Sequence, residues 1–206
     1  MGRIHIDLFT TLDGVAQAPG GPEEDPTDDF AFGGWQAPLI DEVVGEQIDS
    51  GMDGMDALLL GRRTYDIFAA YWPHQGGGIA DLFNRLPKYV ASRQSPQLEW
   101  KGSTLLGADT VAGLRELREK HQNIHVIGSL DFVQTLFAER LFDQLNLWVY
   151  PILLGTGKKV FADGVVPTSL RLIEPVVASP KGAVMQRYAL VEGTPDVGNM
   201  AEIDQA

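Results

Sequence analysis

Asp56-Ala-Leu-Leu-Leu-Gly-Arg-Arg-Thr-Tyr65 joins a strand-type apolar run, Ala57–Leu60, to a glycine and then to two arginines and a threonine at a helix start. The first turn of a helix carries free backbone N–H groups and a partial positive charge. A glycine there admits a phosphate close to the backbone, and the Thr64 hydroxyl can donate to it. Arg62 and Arg63 add permanently charged, bidentate clamps. The stretch therefore predicts a strand–turn–helix unit of an α/β sheet, with Gly61, Arg62, Arg63 and Thr64 as an anion-binding corner.

The distribution of charge supports a local anion site. Residues 1–60 hold thirteen acidic residues and one basic residue, Arg3, in a chain of net charge −12. Residues 61–101 hold six basic residues (Arg62, Arg63, Arg85, Lys88, Arg93, Lys101) against three acidic ones (Asp66, Asp81, Glu99). An acidic chain that gathers its arginines in one section has an anion to hold there, unless these are solvated surface charges.

Length and composition narrow the function classes. The 206 residues fit one domain, expected over 1–192 with a polar, aperiodic tail over 193–206. A pI near 4.6 disfavours a nucleic-acid partner, which requires basic surface. No apolar run reaches the length of a membrane span and no export signal is evident, so a cytoplasmic location is expected. The absence of cysteine excludes disulfides, thiolate nucleophiles and cysteine zinc sites. His5, His74, His121 and His125 show no metal-ligand spacing, and no metal is expected. There is no Gly-x-Ser-x-Gly elbow, so hydrolysis by a triad is not expected.

Periodicity predicts strands at Arg3–Phe9, Ala57–Leu60, Lys88–Ala91, Leu105-Leu106, Ile124–Ile127 and Leu145–Tyr150. Between them lie helices over Pro38–Met52, Tyr65–Ala70, Ile79–Leu86, 109–120 and 131–139. Two further runs, Leu170–Ala178 and Ala183–Val191, flank a hairpin signal at Ser179-Pro-Lys-Gly182. Residues 18–34, rich in Pro, Gly and acids, read as a mobile loop. The whole describes an α/β domain with a mixed sheet and an antiparallel C-terminal hairpin.

Two more strand ends resemble the first corner. Val126-Ile-Gly-Ser129 again follows a strand and opens a helix, and Ala91-Ser-Arg93 closes a third strand. In open α/β sheets ligands lie beyond the carboxyl ends of strands. Three such sites suit a dinucleotide with three phosphates, such as NADPH. The usual Gly-x-Gly-x-x-Gly spacing is absent, which excludes the common dinucleotide-binding fold. Among the carboxylates, Asp13, Asp41 and Glu42 are candidate general acids.

Thr11-Leu-Asp-Gly14, Leu58-Leu-Leu-Gly-Arg-Arg-Thr-Tyr65, Tyr89-Val-Ala-Ser-Arg93 and Val126-Ile-Gly-Ser129 together resemble the dihydrofolate reductase superfamily. The block Leu141-Phe-Asp-Gln-Leu-Asn-Leu-Trp-Val-Tyr-Pro-Ile-Leu-Leu-Gly-Thr-Gly-Lys-Lys-Val-Phe161 is similar to the reductase domain of the bifunctional riboflavin-biosynthesis deaminase–reductase. The matches span about residues 3–191.

The resemblance implies a three-layer fold with a mixed sheet of about eight strands, NADPH as cofactor, and hydride transfer to a pterin-like or ribosylaminopyrimidine substrate. Gly61, Arg62 and Thr64 would hold the pyrophosphate or 2′-phosphate, and Ser92 and Arg93 the 2′-phosphate of the adenosine. Gly128, Ser129 and Leu130 would hold the pyrophosphate and nicotinamide ribose, with the carboxamide on the backbone of Phe9 and Ala16. Trp35 falls near the substrate-loop tryptophan and Asp41 near the folate-binding acid. A homodimer is implied, with Leu145–Tyr150 as a candidate interface.

Two positions depart from the family pattern. Ser129 stands where a Gly-Gly pair is common, and Val15 where a basic residue often follows Leu-Asp-Gly. They leave open a nucleotide-binding or regulatory protein without turnover. A protein-interaction patch built on the arginines is a third reading.

Overall fold

A computed structural model describes residues 1–200. The last six positions of the expected tail, 201–206, lie outside the described residues, and 191–199 form neither helix nor strand. The strands are β1 (Arg3–Thr11), β2 (Ala57–Gly61), β3 (Lys88–Ala91), β4 (Ser103–Leu105), β5 (Asn123–Val126), β6 (Gln144–Tyr150), β7 (Leu170–Leu172), β8 (Val177–Ala178) and β9 (Val184–Leu190). The α-helices are α1 (Glu42–Gly51), α2 (Arg62–Tyr71), α3 (Gly78–Arg85), α4 (Thr110–Lys120) and α5 (Leu130–Ala138).

All five residues of β2 are buried, the pattern of a strand covered on both faces. It sits inside a sheet ordered β4-β3-β2-β5-β1-β6-β9-β7, with β8 also paired to β9. The pairs from β4 through β6 are parallel, and β9 runs antiparallel to β6, β7 and β8. On one face, Leu114 and Leu117 of α4 and Phe132, Val133 and Leu136 of α5 pack on Ile4, Ile6, Leu59 and Ile124. On the other, α2 and α3 cover Leu58, Leu60 and Val90, and Val44 of α1 joins Trp148 and Tyr150. Helices on both faces of a mixed sheet make the three layers expected.

Local chemistry sets the element boundaries. Asp109 caps α4 through Ala112 N–H at 3.0 Å, and Arg118 and Lys120 lie in its last turn, where the helix dipole favours cations. The first helix begins at Glu42 rather than Pro38, because Asp41 accepts Val44 N–H at 3.0 Å and Ala37–Leu39 form a separate 3₁₀ turn. The run Leu170–Ala178 divides at Glu174-Pro175 into β7 and β8, which raises the strand count to nine among the described residues. Proline has no N–H to give a sheet ladder.

Two further expectations change. The run Leu145–Tyr150 is no subunit interface in waiting: as part of β6 it has both edges paired, by β1 and β9, and all but Val149 of it is buried. Residues 18–34, expected as a loop without fixed partners, carry specific hydrogen bonds to the segments around them. Gly34 N–H bonds to Ala18 O, Gln36 N–H to Pro19 O, and the buried Gln17 amide donates to the carbonyls of Asp25 and Thr27, each at 3.0 Å.

Candidate functional site

The parallel strands end together at one cleft of about 2090 Å³. Gly61, the last residue of β2, is the N-cap of α2 and offers no side-chain cap to the helix. The first-turn N–H groups of α2 therefore lack the partner that a serine or aspartate would have supplied. Opposite, Gly128 follows β5 with φ +133°, and the Gly128–Ser129 peptide is cis. A Cβ on Gly61 would lie 2.3 Å from Ser129 Oγ, and one on Gly128 would lie 2.6 Å from Thr64 Oγ1. Only glycine fits where these two turns meet.

The cleft lining unites the expected anion-binding residues. Gly61, Arg62, Arg63 and Thr64 come from the β2–α2 turn, Ser92 and Arg93 from the end of β3. Gly128, Ser129 and Leu130 come from the β5–α5 turn, and Phe9 and Ala16 from β1 and the segment after it. Ser129 Oγ also caps α5 through Phe132 N–H at 3.5 Å, a task that a second glycine would leave undone.

Each arginine already faces a carboxylate. Arg62 Nε donates to both Asp66 oxygens at 2.7 Å, Arg63 Nη1 lies 3.2 Å from Asp25, and Arg93 Nη2 lies 3.7 Å from Asp131. These three guanidinium side chains are 38%, 50% and 89% exposed, so the pairs contribute about 0–1 kcal/mol each. A phosphate, which binds guanidinium bidentately, displaces such partners at small cost.

Sequence reading missed part of the wall. Residues 17–28 form a strap along the cleft, held by Asp25. Its carboxylate accepts Lys158 Nζ at 2.6 Å and faces Arg63, while the Thr27 hydroxyl meets both cations. Burial pushes the Asp25 pKa up, but Lys158, Thr27 and Arg63 together hold it below the usual carboxylate value. Burial raises the pKa of Glu24 in the same strap, against N–H bonds from Gly20 and Gly21. The acidic run Glu23-Glu-Asp25 was visible; its long-range partners were not. Asp7, Ile48, Met52, Phe68 and Ile127 line a more apolar half of the cleft, between α1 and α2.

The four remaining candidates, Asp13, Asp41, Glu42 and Trp35, lie outside the cleft lining, and Glu42 is the exposed first residue of α1. Asp41 is the cap of α1 and accepts Lys181 N–H at 3.0 Å; the Val44 N–H bond lowers its pKa, the wrong direction for a proton donor at neutral pH. Asp13 accepts the Thr11 hydroxyl at 2.5 Å, the largest cause of its lowered pKa, and the N–H groups of Leu154 and Gly155 at 3.3 and 2.7 Å. It joins the Leu-Asp-Gly motif to the Gly-Thr-Gly turn. Trp35 is buried edge-on against Tyr150 with its indole N–H on Gln17 O at 2.8 Å, so it is a core residue. No group of three or more metal-ligating side chains occurs among the described residues.

A mixed sheet with one cleft at the ends of its parallel strands, walled by two interlocked glycine turns, is an α/β architecture of the dihydrofolate reductase-like fold. The chain belongs to the RibD C-terminal domain family, whose profile matches residues 3–182. It is 23% identical over 177 residues to Uncharacterized protein YyaP of Bacillus subtilis strain 168, covering 83% of this chain and 86% of that one. A solved structure similar in fold is the Thermotoga maritima diaminohydroxyphosphoribosylaminopyrimidine deaminase/5-amino-6-(5-phosphoribosylamino)uracil reductase, at TM-score 0.61 and 13% identity. The match covers 92% of this chain and 57% of that larger one. Dihydrofolate reductase from Enterococcus faecalis, complexed with NADP(H), gives TM-score 0.58 at 14% identity, over 93% and 98% of the two chains. No helix among the described residues is long and apolar enough to cross a membrane.

Proposed function

We propose that this chain is an NADPH-dependent reductase acting on a flat nitrogen heterocycle, a pterin or a ribosylaminopyrimidine. The observation that carries this reading is the single cleft shared by the turns after β2, β3 and β5. At about 2090 Å³ it exceeds the roughly 300–1,000 Å³ of a one-ligand pocket, leaving room for a dinucleotide and an acceptor side by side.

The residues present suit such a cofactor. The uncapped N–H groups at the start of α2, beside the interlocked turns of Gly61 and Gly128, offer donors for phosphate oxygens. Arg62, Arg63 and Lys158 supply positive charge at one end, and Arg93 with Ser92 at another. Reduced nicotinamide, when bound, supplies a hydride. The protein's share is orientation and exclusion of water, which Phe9, Ile48, Met52 and Phe68 provide in the apolar half.

A fluorescence titration with NADPH tests the reading, followed by turnover with dihydrofolate and with 5-amino-6-(5-phosphoribosylamino)uracil. Absence of binding at high micromolar NADPH removes it. Binding without turnover favours the second reading, a nucleotide-binding protein, for which Ser129 and the carboxylate-paired arginines are the specific observations.

A further inference from the structure

The sheet face beneath α1 carries a polar chain that cofactor binding does not use. Alternate residues of a strand share a face, and the registers set His5 beside His125 and Gln144, and Asp7 beside Asn146. Asp7 Oδ1 accepts from Asn146 Nδ2 at 2.7 Å, and Asp7 Oδ2 lies 2.7 Å from His125 Nδ1. Gln144 Nε2 donates to Asn146 Oδ1 at 2.8 Å, which fixes the orientation of that amide. His5 stacks on His125 with ring centroids 4.7 Å apart and planes 7° from parallel. Burial, and after it the neighbouring His125, push the His5 pKa below the ordinary histidine value.

Two cavities meet at this chain. Asp7 is the one titratable residue that a strand contributes to the large cleft, among the described residues, and its side chain is 13% exposed there. His125, 4% exposed, lines a second cavity of about 310 Å³ instead. That cavity opens at the exposed residues Ser50, Asp53 and Glu174. A hydrogen-bonded carboxyl–imidazole pair thus connects solvent under the end of α1 with the floor of the cleft. The other charged groups around it are Asp53, the Glu174–Arg187 ion pair, and Asp143 and Arg3 beside His5.

We propose that Asp7 and His125 form a proton relay serving the acceptor in the cleft, an inference that rests on the reductase reading above. A hydride brings two electrons and one hydrogen, so saturating a C=N bond requires one further proton. The new N–H bond at the acceptor forms as an O–H bond at Asp7 breaks, and the pair regains one proton from solvent at the His125 side. Asp7 is the catalytic residue of the pair; His125 and Asn146 position it and, in the case of His125, recharge it. Of the four lone-pair sites of the carboxylate, two are taken by Asn146 and His125. One of the remaining two carries the proton that is donated, and the other can accept an N–H group of the same heterocycle, which selects a nitrogen-rich acceptor over a simple ketone.

The test uses the full chain and the variants Asp7→Asn and His125→Ala, each checked for its thermal midpoint. With only four histidines, imidazole ¹⁵N resonances can be followed individually. The relay predicts that Asp7→Asn moves the His125 Nδ1 resonance, because its hydrogen-bond partner at 2.7 Å is replaced by an amide. A His125 Nδ1 resonance unchanged between the two chains overturns it. With NADPH and 5-amino-6-(5-phosphoribosylamino)uracil or dihydrofolate, Asp7→Asn lowers kcat on the order of 10²-fold or more, as for loss of a general acid. NADPH affinity stays within twofold, and imidazole restores part of the rate to His125→Ala. A loss confined to KM or to cofactor affinity overturns the relay, whereas a wild type that binds no NADPH overturns the reductase reading and leaves the His125 Nδ1 resonance to decide the coupling.

Discussion

The backbone N–H of Gly61 donates to the carbonyl oxygen of Gly128 at 2.9 Å, tying the turn after β2 to the turn after β5. The two βα units are 67 residues apart in sequence, and their glycines form one continuous rim. A methyl group on Gly61 would meet Ser129 N at 2.7 Å and Phe132 Cβ at 2.8 Å, atoms that a rotamer change does not move. Gly61→Ala is expected to lose about 1–3 kcal/mol in urea denaturation, as overpacked sites do. NADPH affinity should fall with it. A variant as stable as the wild type would mean that the rim has slack.

Asp25 competes with any anion for Arg63 and Lys158. Arg63→Ala should weaken NADPH binding about 5- to 10-fold at low salt, the worth of about 1 kcal/mol per exposed charge contact. Asp25→Asn should move affinity the other way, or leave it level if the loosened strap offsets the freed charge. The Arg63→Ala effect should shrink at 300 mM NaCl. Equal affinity of wild type and Arg63→Ala at low salt would exclude this arginine as a phosphate ligand.

Arg93 and Ser92 stand apart from that corner, at the end of β3. Arg93→Ala should reduce NADPH affinity while leaving NADH affinity within twofold, because only the 2′-phosphate differs. Comparing the two fluorescence titrations decides it. Parallel losses for both nucleotides would move Arg93 to the pyrophosphate.

Trp35→Phe keeps the aromatic bulk but removes the bond from Nε1 to Gln17 O. An unsatisfied buried carbonyl costs about 1–3 kcal/mol, which lowers the thermal midpoint by about 2–4 °C per kcal/mol at this chain length. NADPH affinity and turnover should hold. A variant of wild-type stability with impaired turnover would return Trp35 to the substrate site.

Two buried groups outside the cleft govern alkaline stability. Burial pushes Lys88 down from 10.5 to about 8, and Tyr150 up from 10.0 to about 12. Between about pH 8 and 10.5 the unfolded chain binds the Lys88 proton that the folded chain has released, so this group makes stability rise with pH. Above about pH 10 the unfolded tyrosine ionises while folded Tyr150 keeps its proton, so stability falls. Urea midpoints across pH 7.5–10 should climb in the wild type and lose that climb in Lys88→Met. A parallel climb in both chains would assign it elsewhere.

How much of the site was legible depended on the range of the interaction. The glycine turns at Gly61 and Gly128, the arginines beside them and the strand end at Ser92-Arg93 are each written within a few residues, and all reached one cleft. Trp35 and Asp41 were placed by resemblance and Asp13 only as a carboxylate, and their partners Gln17, Lys181 and Gly155 show how each is tied into the framework. Similarly, Leu145–Tyr150 looked like a free apolar surface until its two neighbours, β1 and β9, were known.

Taken alone, the order of residues determined the alternation of strands and helices, the caps that start them and the turns where an anion can approach backbone amides. Such features arise from bonds between atoms a few positions apart. Only the folded sheet decided that Asp25 would meet Lys158 across 133 positions and that Asp7 would meet His125 across 118. Those pairings exist because β1 lies between β5 and β6, and strand order is a property of the whole buried core, not of any segment within it.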